Sequence, residues 1–528
     1  MSAVHTLTLA DVLREHRRSR PAATAAVDGP VRRTYTGLDA RTCRLARALA
    51  DAGTGPGDRV LYIGRNSVRL QEGLLAAARL GAVFVPANWR QSADELAFVL
   101  RDLAPSAVLW QGGDLEPVVR AARGAVAGEP ARQGCLWVRC DGPADGPSDG
   151  EAAGGDPYEE LIASAPEEDP EGDTDASLPV LGLYTAAFDG RPACALLSHA
   201  ALIAHDAALF QVRRIGPGFT FLNSGPLFHV GTMMFNLATF HAGGTNVYMP
   251  AFDAAEAARL IEAERVDHMF GFGPMLDAVV EANRGEDGKP RHDLSSLHFA
   301  SHSPEWDAQV TVGTDPWSAS GMGGYGQTQV CGMLTYLALG PGGAGTAGRP
   351  SPMVRVRITG PGGEELPAGE TGEITARGPS LFSGYHARPE LTARTLSGGW
   401  HRTGDLGRRE ADGTITFIRP RLRMIKTGNE NVYPAEVERA LKAHPGIADA
   451  AVIGVPDETW GQSVAAVVQC EPGARPTEEE VVAHVRGLLA SYKKPRRVVF
   501  TDALPKDGHL PDYAALDAAY GGGGYPGG

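Results

Sequence analysis

The run Arg59-Val-Leu-Tyr-Ile63 is a short apolar stretch bounded by β-branched residues at Val60 and Ile63, the composition of a buried strand. A helix-period pattern over 70–80 follows it, then a second strand-like run over 82–86, and a helix pattern over 45–52 precedes it. Strand, helix, strand at this spacing is the signature of a mostly parallel sheet, because parallel neighbours need a crossover between them. The same alternation returns further along, with strand candidates at 219–222, 245–249 and 268–272 and a helix over 254–264.

Near Met353 the period changes to two, in Val354-Arg-Val-Arg-Ile358 and Glu373-Ile-Thr-Ala376, separated by the turn Gly360-Pro-Gly-Gly363. This predicts an antiparallel β subdomain. Beyond 416–419 the pattern predicts a compact α+β unit with strands at 450–455 and 463–469. A helix there opens on the capping box Thr477 and Glu480 and runs to about Leu489. The expected fold is therefore α/β: a large N-terminal domain of mostly parallel sheets flanked by helices plus a β subdomain, residues 1–419, and a small α+β C-terminal domain, residues 420–520. Residues 140–177 are rich in Gly, Pro, Asp and Glu and read as a solvated acidic surface excursion, including Asp173 and Asp175. Residues 521–528, mostly glycine, read as disordered.

Composition narrows the function. The chain has 528 residues, 43% of them apolar, enough for a large core and at least two domains. A formal charge of −14, from 49 basic and 63 acidic side chains, opposes a phosphate backbone, so nucleic acid is not an expected partner. Six scattered cysteines form no CxxC pair, which suggests neither a disulfide framework nor a zinc site. The first residues read as an amphipathic helix starting near Thr8, with a basic run over 14–20 and no apolar h-region, so no export signal is expected. No window reaches the ~18 uninterrupted apolar residues of a membrane helix, and a cytoplasmic location is expected without membrane insertion.

Seven segments in a fixed order, spread over most of the chain, resemble signatures of acyl-CoA synthetases in the adenylate-forming superfamily. They are Asn88-Trp-Arg90 with Glu95, Leu96 and Leu100; Pro226-Leu-Phe-His-Val-Gly231; Tyr325-Gly-Gln-Thr328; Gly348-Arg-Pro350; Gly372-Glu-Ile374; Gly399-Trp-His-Arg-Thr-Gly-Asp-Leu-Gly407; and Asn431-Val-Tyr-Pro-Ala-Glu436. The resemblance implies two half-reactions at one site, carboxylate plus MgATP to acyl-AMP and then transfer to a thiol, with the small domain reclosing between them. It implies adenine stacking by Tyr325, ribose contact by Asp405, a phosphate contact from Thr328, an acyl-pocket role for His229 beside the reacting carboxylate, and a ribose and phosphate contact for Arg421.

Against that pattern, the phosphate loop reads Thr185-Ala-Ala-Phe-Asp-Gly-Arg-Pro-Ala-Cys194. Ala186, Phe188 and Asp189 stand where the resemblance implies hydroxyl donors, Ala193 stands at the loop lysine, and Cys194 at a glycine that lets amides approach phosphate. A phosphate charge ~4 Å from Asp189 is repelled by roughly 4 kcal/mol at an effective dielectric of ~20, about a thousandfold in affinity. Gln329 stands where the resemblance implies an Mg²⁺-holding glutamate and lacks its charge. In Leu504-Pro-Lys-Asp-Gly-His509, His509 occupies the place of the adenylation lysine. The hinge Phe417-Ile-Arg-Pro-Arg-Leu-Arg-Met-Ile425 lacks the usual Asp or Lys pivot, and Pro420 stiffens it. Arg191 and Lys506 are candidate replacements for the lost lysines. His302, in Ser301-His-Ser-Pro304, and Cys331 are candidate acid/base or nucleophilic groups.

Three functions follow. The favoured one is a divergent acyl or aryl enzyme acting on a CoA or phosphopantetheine thioester, with a carrier protein as a partner and with ATP, AMP and Mg²⁺ use lost or impaired. The alternatives are an ATP-dependent acyl/aryl-CoA ligase and a non-catalytic scaffold. The residues Phe228, Met233, Met234 and 270–275 suit an aryl or medium-length apolar acid.

Overall fold

The computed structural model describes all residues except 1–6, 130–133, 142–156, 171, 173, 186–190, 287, 299–302, 314–322, 421–422, 429, 508–509 and 526–528. Two sheets form the base of the large domain. In the seven-stranded one, Gly384–Tyr385, Ala193–Ser198, Pro179–Thr185, Val83–Pro86, Arg59–Ile63, Ala107–Trp110 and Leu136–Arg139 lie side by side. Arg59–Ile63 pairs in parallel with both Val83–Pro86 and Ala107–Trp110, the pairing expected of a βαβ unit. The five-stranded one runs His268–Met269, Thr220–Asn223, Thr245–Tyr248, Thr24–Asp28, Val31–Thr34, parallel except for the last hairpin.

The helix Val68–Leu80 shows why these sheets belong to one domain. Eleven of its residues are buried, so it has almost no polar face, and it packs in a cluster holding Tyr62 and Phe84 of one sheet and Ala25, Ala26 and Tyr248 of the other. At its centre Gly73 lets the Phe84 ring approach to where a Cβ would stand 2.7 Å away. A glycine inside a helix costs ~1 kcal/mol against alanine, and that close packing is what offsets it.

The period-two region forms the antiparallel sheet Arg355–Thr359, Thr371–Arg377, Trp400–Arg409, with Ile415–Pro420 on Trp400–Arg409. The small domain has Ile447–Asp457 and Gly461–Cys470 as its central antiparallel pair, with Arg497–Thr501 parallel to Gly461–Cys470. The predicted capping box is present, Thr477 with Glu480 on Glu478–Leu488, and the helix expected near Thr8 is Leu9–Ser19, which Thr8 caps. Among the described residues, no helix is long and apolar enough to cross a membrane.

Two expectations need correction. The acidic stretch is not all solvated: Pro157–Ser164 is a helix whose Tyr158 is fully buried, whose Glu159 pairs with Arg41 and Arg69, and Asp169 beyond it pairs with Arg14 and Arg79. Glu159 and Asp169 thus serve arginines that are buried or partly buried, while Glu168 and Asp175 stay exposed as expected; Asp173 lies outside the described residues. The glycine-rich stretch is also ordered in part, because Gly521–Tyr525 packs on the small domain, where the Tyr525 hydroxyl accepts the Gly454 amide at 2.8 Å.

Candidate active site

His229 sits at the N-cap of Val230–Ala242, at the end of a turn that leaves strand Thr220–Asn223. The turn is held from inside by Asn66, whose amide donates to the carbonyls of Asn223, Gly225 and Met249 and accepts from the Leu227 amide at 2.9 Å. Gly225 is required there, since a Cβ would meet the Phe270 ring at 2.3 Å. His229 packs on Phe228, ring centroids 4.6 Å apart, and its Nε2 lies 3.1 Å from Oε2 of Glu430 on the small domain. Arg90 reaches the other Glu430 oxygen at 3.3 Å. Burial pushes the Glu430 carboxyl up, but the hydrogen bond to His229 with the charges of Arg90 and Lys493 outweighs it and holds it below the usual glutamate value.

Facing this pair, Tyr325 donates its hydroxyl to Asp405 Oδ2 at 2.6 Å and stacks on Phe417, centroids 5.4 Å apart. Gln327 donates to the Tyr325 hydroxyl at 3.0 Å, and the Asp405 amide is fixed by Thr403 Oγ1 at 3.1 Å. Burial raises the Asp405 carboxyl to about 6 against the hydrogen bonds from Tyr325 and Gln327. Thr328, half-buried, begins the turn Thr328–Val330. Gln329 is buried and donates its amide to the Tyr385 hydroxyl at 2.8 Å. Thr185 is buried and donates to the Ala193 carbonyl at 3.1 Å, at the end of the paired strands Pro179–Thr185 and Ala193–Ser198. His229, Tyr325, Thr328, Gln329, Asp405, Thr185 and Glu430 all line one cleft of about 470 Å³.

A larger cavity of about 1500 Å³ opens beside it between the domains, bounded by Trp89, Arg90, Lys426, Trp460, Lys494 and Arg496 among others. Pro226, Lys426, Glu430 and Tyr492 border both, so the wide channel leads onto the cleft at the His229–Glu430 contact. The domains are joined there by Lys493, whose ammonium lies 2.7 Å from Glu95 of the large domain and 2.8 Å from Glu436 of the small one.

The structure therefore brings together six of the site residues expected from sequence, His229, Tyr325, Thr328, Gln329, Asp405 and Thr185; His302, His509 and Arg421, like the loop residues Ala186, Phe188 and Asp189, lie outside the described residues. Several expectations do not hold. Cys331 is no nucleophile: it is buried in a left-handed turn (φ 61°), and burial pushes its thiol far up. Lys506 is bound to Asp449 at 2.7 Å, and Arg191 lies over the Phe98 ring rather than in the cleft. Ala193 is a core residue at 5% exposure. Sequence reasoning missed Glu430 and Lys493; the charged Glu430 directly before the quoted Asn431 motif was the available signal for the first.

Family models described as AMP-binding enzyme and AMP-binding enzyme C-terminal domain match residues 13–386 and 436–509. A feruloyl-CoA synthase from Amycolatopsis sp. is 36% identical over 93% of this chain and 95% of its own. A fatty acid–acyl-carrier-protein ligase, ScoC, from Streptomyces coeruleorubidus is 32% identical over 95% and 94%. An o-succinylbenzoate CoA synthetase (MenE) structure from Bacillus subtilis shares the fold with a TM-score of 0.79 at 22% identity, covering 96% of this chain and 98% of that one. The chain belongs to the AMP-binding enzyme family, among its acyl- and aryl-CoA ligases.

Proposed function

We propose that this protein is an ATP-dependent ligase that joins an aryl or medium-length acyl carboxylate to CoA through an acyl-adenylate. The relatives are ligases and synthases, which favours this reading over the ATP-independent thioester chemistry expected from the motif losses. The observation that carries it is the junction at His229 and Glu430, where a nucleoside-sized cleft and a wide cation-bordered channel meet. One arm presents groups for a nucleoside, the other an entrance for a long thiol.

The cleft fits the nucleoside part of ATP: Tyr325 offers a ring held flat by Phe417, and Asp405 an acceptor once ionised. It fits a protein-held Mg²⁺ poorly, because Gln329 is uncharged and directed at Tyr385, so magnesium enters as MgATP with the phosphates supplying most of its ligands. ATP supplies the leaving group that a carboxylate lacks. His229 lies at the side where the carboxylate must reach the cleft, and its ring is set by Phe228 and Glu430. Glu430, arriving with the small domain, fixes His229 as the thiol channel forms, so docking and the second half-reaction are one event. Lys494, Arg496, Lys426 and the half-exposed Trp460 suit the phosphates and base of free CoA, which we favour over a carrier protein as thiol donor. A cytoplasmic location, where ATP and CoA are found, accords with this, as does a domain boundary at 419/420.

The test is acid-dependent ATP–pyrophosphate exchange across hydroxycinnamic, arylacetic and C6–C12 acids, followed by CoA-dependent thioester release. Exchange with at least one acid supports the proposal. Silence throughout, with turnover of a preformed thioester in the absence of ATP, restores the ATP-independent reading.

A further inference from the structure

The segment Gly521–Tyr525 returns across the small domain and grips the two residues that carry the Lys426–Glu430 hairpin. Arg423 lies on the Tyr525 ring at 4.0 Å and the Tyr513 ring at 4.8 Å, and its guanidinium donates to both Asp517 oxygens and to the Tyr525 hydroxyl. That hydroxyl in turn donates to Asp517 at 2.9 Å and accepts the Gly454 amide at 2.8 Å. A second thread runs through Gln462, which donates to the Gly523 carbonyl at 2.6 Å and accepts the Lys426 amide at 2.8 Å. Arg423 and Lys426 bracket the start of strand Ile425–Thr427, whose partner Glu430–Val432 bears the carboxylate that meets His229.

The glycines are what allow the wrap. A Cβ on Gly522 would stand 1.8 Å from an Asp517 oxygen, and one on Gly454 would meet the Gln462 amide at 2.6 Å and the Tyr525 ring at 3.1 Å. Gly521 and Gly524 have φ of 78° and 69°, in the left-handed region. Composition that reads as disorder is here the composition of a tight return onto the sheet.

We infer that Gly521–Tyr525 is a positioning element for the thioester half-reaction, holding Arg423 and the Lys426 backbone so that the hairpin delivers Glu430 to His229. Its catalytic consequence rests on the ligase reading, whereas its hold on the hairpin does not. Two variants, Tyr525→Ala and deletion of 521–528, are compared with wild type in three measurements: amide hydrogen exchange over 423–432, pyrophosphate exchange, and CoA-dependent consumption of a synthetic cinnamoyl-adenylate. Losing a cation–π contact and its hydrogen bonds predicts exchange over 423–432 faster by ~10-fold, adenylate consumption slower by ~5- to 10-fold, and pyrophosphate exchange within about twofold of wild type. Tyr525→Phe, which keeps the ring, falls between. Unchanged hydrogen exchange in both variants overturns the inference, and so does an equal loss in the two half-reactions, which would mean general destabilisation. If wild type performs neither half-reaction, the ligase reading fails and the hydrogen-exchange arm alone decides the hold on the hairpin.

Discussion

Glu95→Gln separates the docking of the two domains from the stability of each. Glu95 stands on helix Ala93–Leu103, where it completes a capping box with Ser92, and its other oxygen meets Lys493 at 2.7 Å. Both side chains of that pair are nearly buried, at 11% and 9% exposure. Burial lowers the Lys493 ammonium value, but Tyr492, Glu436 and Glu95 outweigh it and hold it above the ordinary lysine value, so it stays charged throughout the working pH range. Glutamine has one acceptor oxygen, so where it keeps the capping-box bond from the Ser92 amide its NH2 faces the Lys493 ammonium, donor against donor, while the Lys493–Glu436 pair inside the small domain stays intact. What is lost is one charge-assisted interdomain hydrogen bond, ~1.5–3 kcal/mol. The docking equilibrium is then expected to fall roughly 13- to 160-fold. Energy transfer between a donor on the large domain and an acceptor on the small one, titrated with CoA, reads this directly, and thermal unfolding checks that each domain keeps its stability. A docking equilibrium unchanged in Glu95→Gln, with Tm also unchanged, would refute the assignment of Lys493 as the interdomain clamp.

Other expectations follow from the same geometry. Glu430→Gln removes a charge-assisted partner of His229 and is expected to slow CoA-dependent adenylate consumption ~10-fold while sparing pyrophosphate exchange, the split being read in single-turnover quench experiments. Asp405 has a folded value of about 6, above the ~3.9 of an unfolded chain, so the folded state binds its proton more tightly. Its contribution favours folding below pH ~4 and is lost as pH rises through 6. Wild type is therefore expected to lose ATP affinity below pH ~6, and Asp405→Asn to raise Tm at pH 7.5 and abolish that pH dependence, both accessible by calorimetry and thermal melts. Ala193→Lys is expected to cost ~1–3 kcal/mol of stability rather than restore a phosphate ligand, because that side chain points into the core, and denaturant unfolding measures it. Cys331→Ala is expected to leave both half-reactions within about twofold, and native Cys331 to resist iodoacetamide, as a buried thiol does.

The parallel sheets were legible because their signal is local: Val60 to Ile63 and the helix and strand after it each satisfy one period within a dozen residues. The capping box at Thr477 was legible for the same reason, since it joins residues only three positions apart. The ligase-like site was legible as a list, with Tyr325, Asp405 and His229 reaching one cleft. The reading failed where a partner is remote. Gln329 was judged by its missing charge, yet its amide is committed to Tyr385, 56 positions on. Asp169 looked solvated until Arg14 and Arg79 closed on it from 155 and 90 residues earlier in the chain. Lys506 looked available until Asp449 claimed it.

By itself the amino-acid sequence determined the α/β class, the order of the segments and the residue types at the cleft, because hydrophobic period, capping and motif spacing are properties of neighbours along the chain. Only the tertiary structure decided that Glu430 meets His229, that Lys493 joins the domains, that Cys331 is sealed away and that Gly521–Tyr525 is held. Each of these depends on which distant side chain arrives to satisfy a buried charge, donor or ring, and the cost of leaving such a group unmatched is set by burial, a quantity that exists only once the chain has folded.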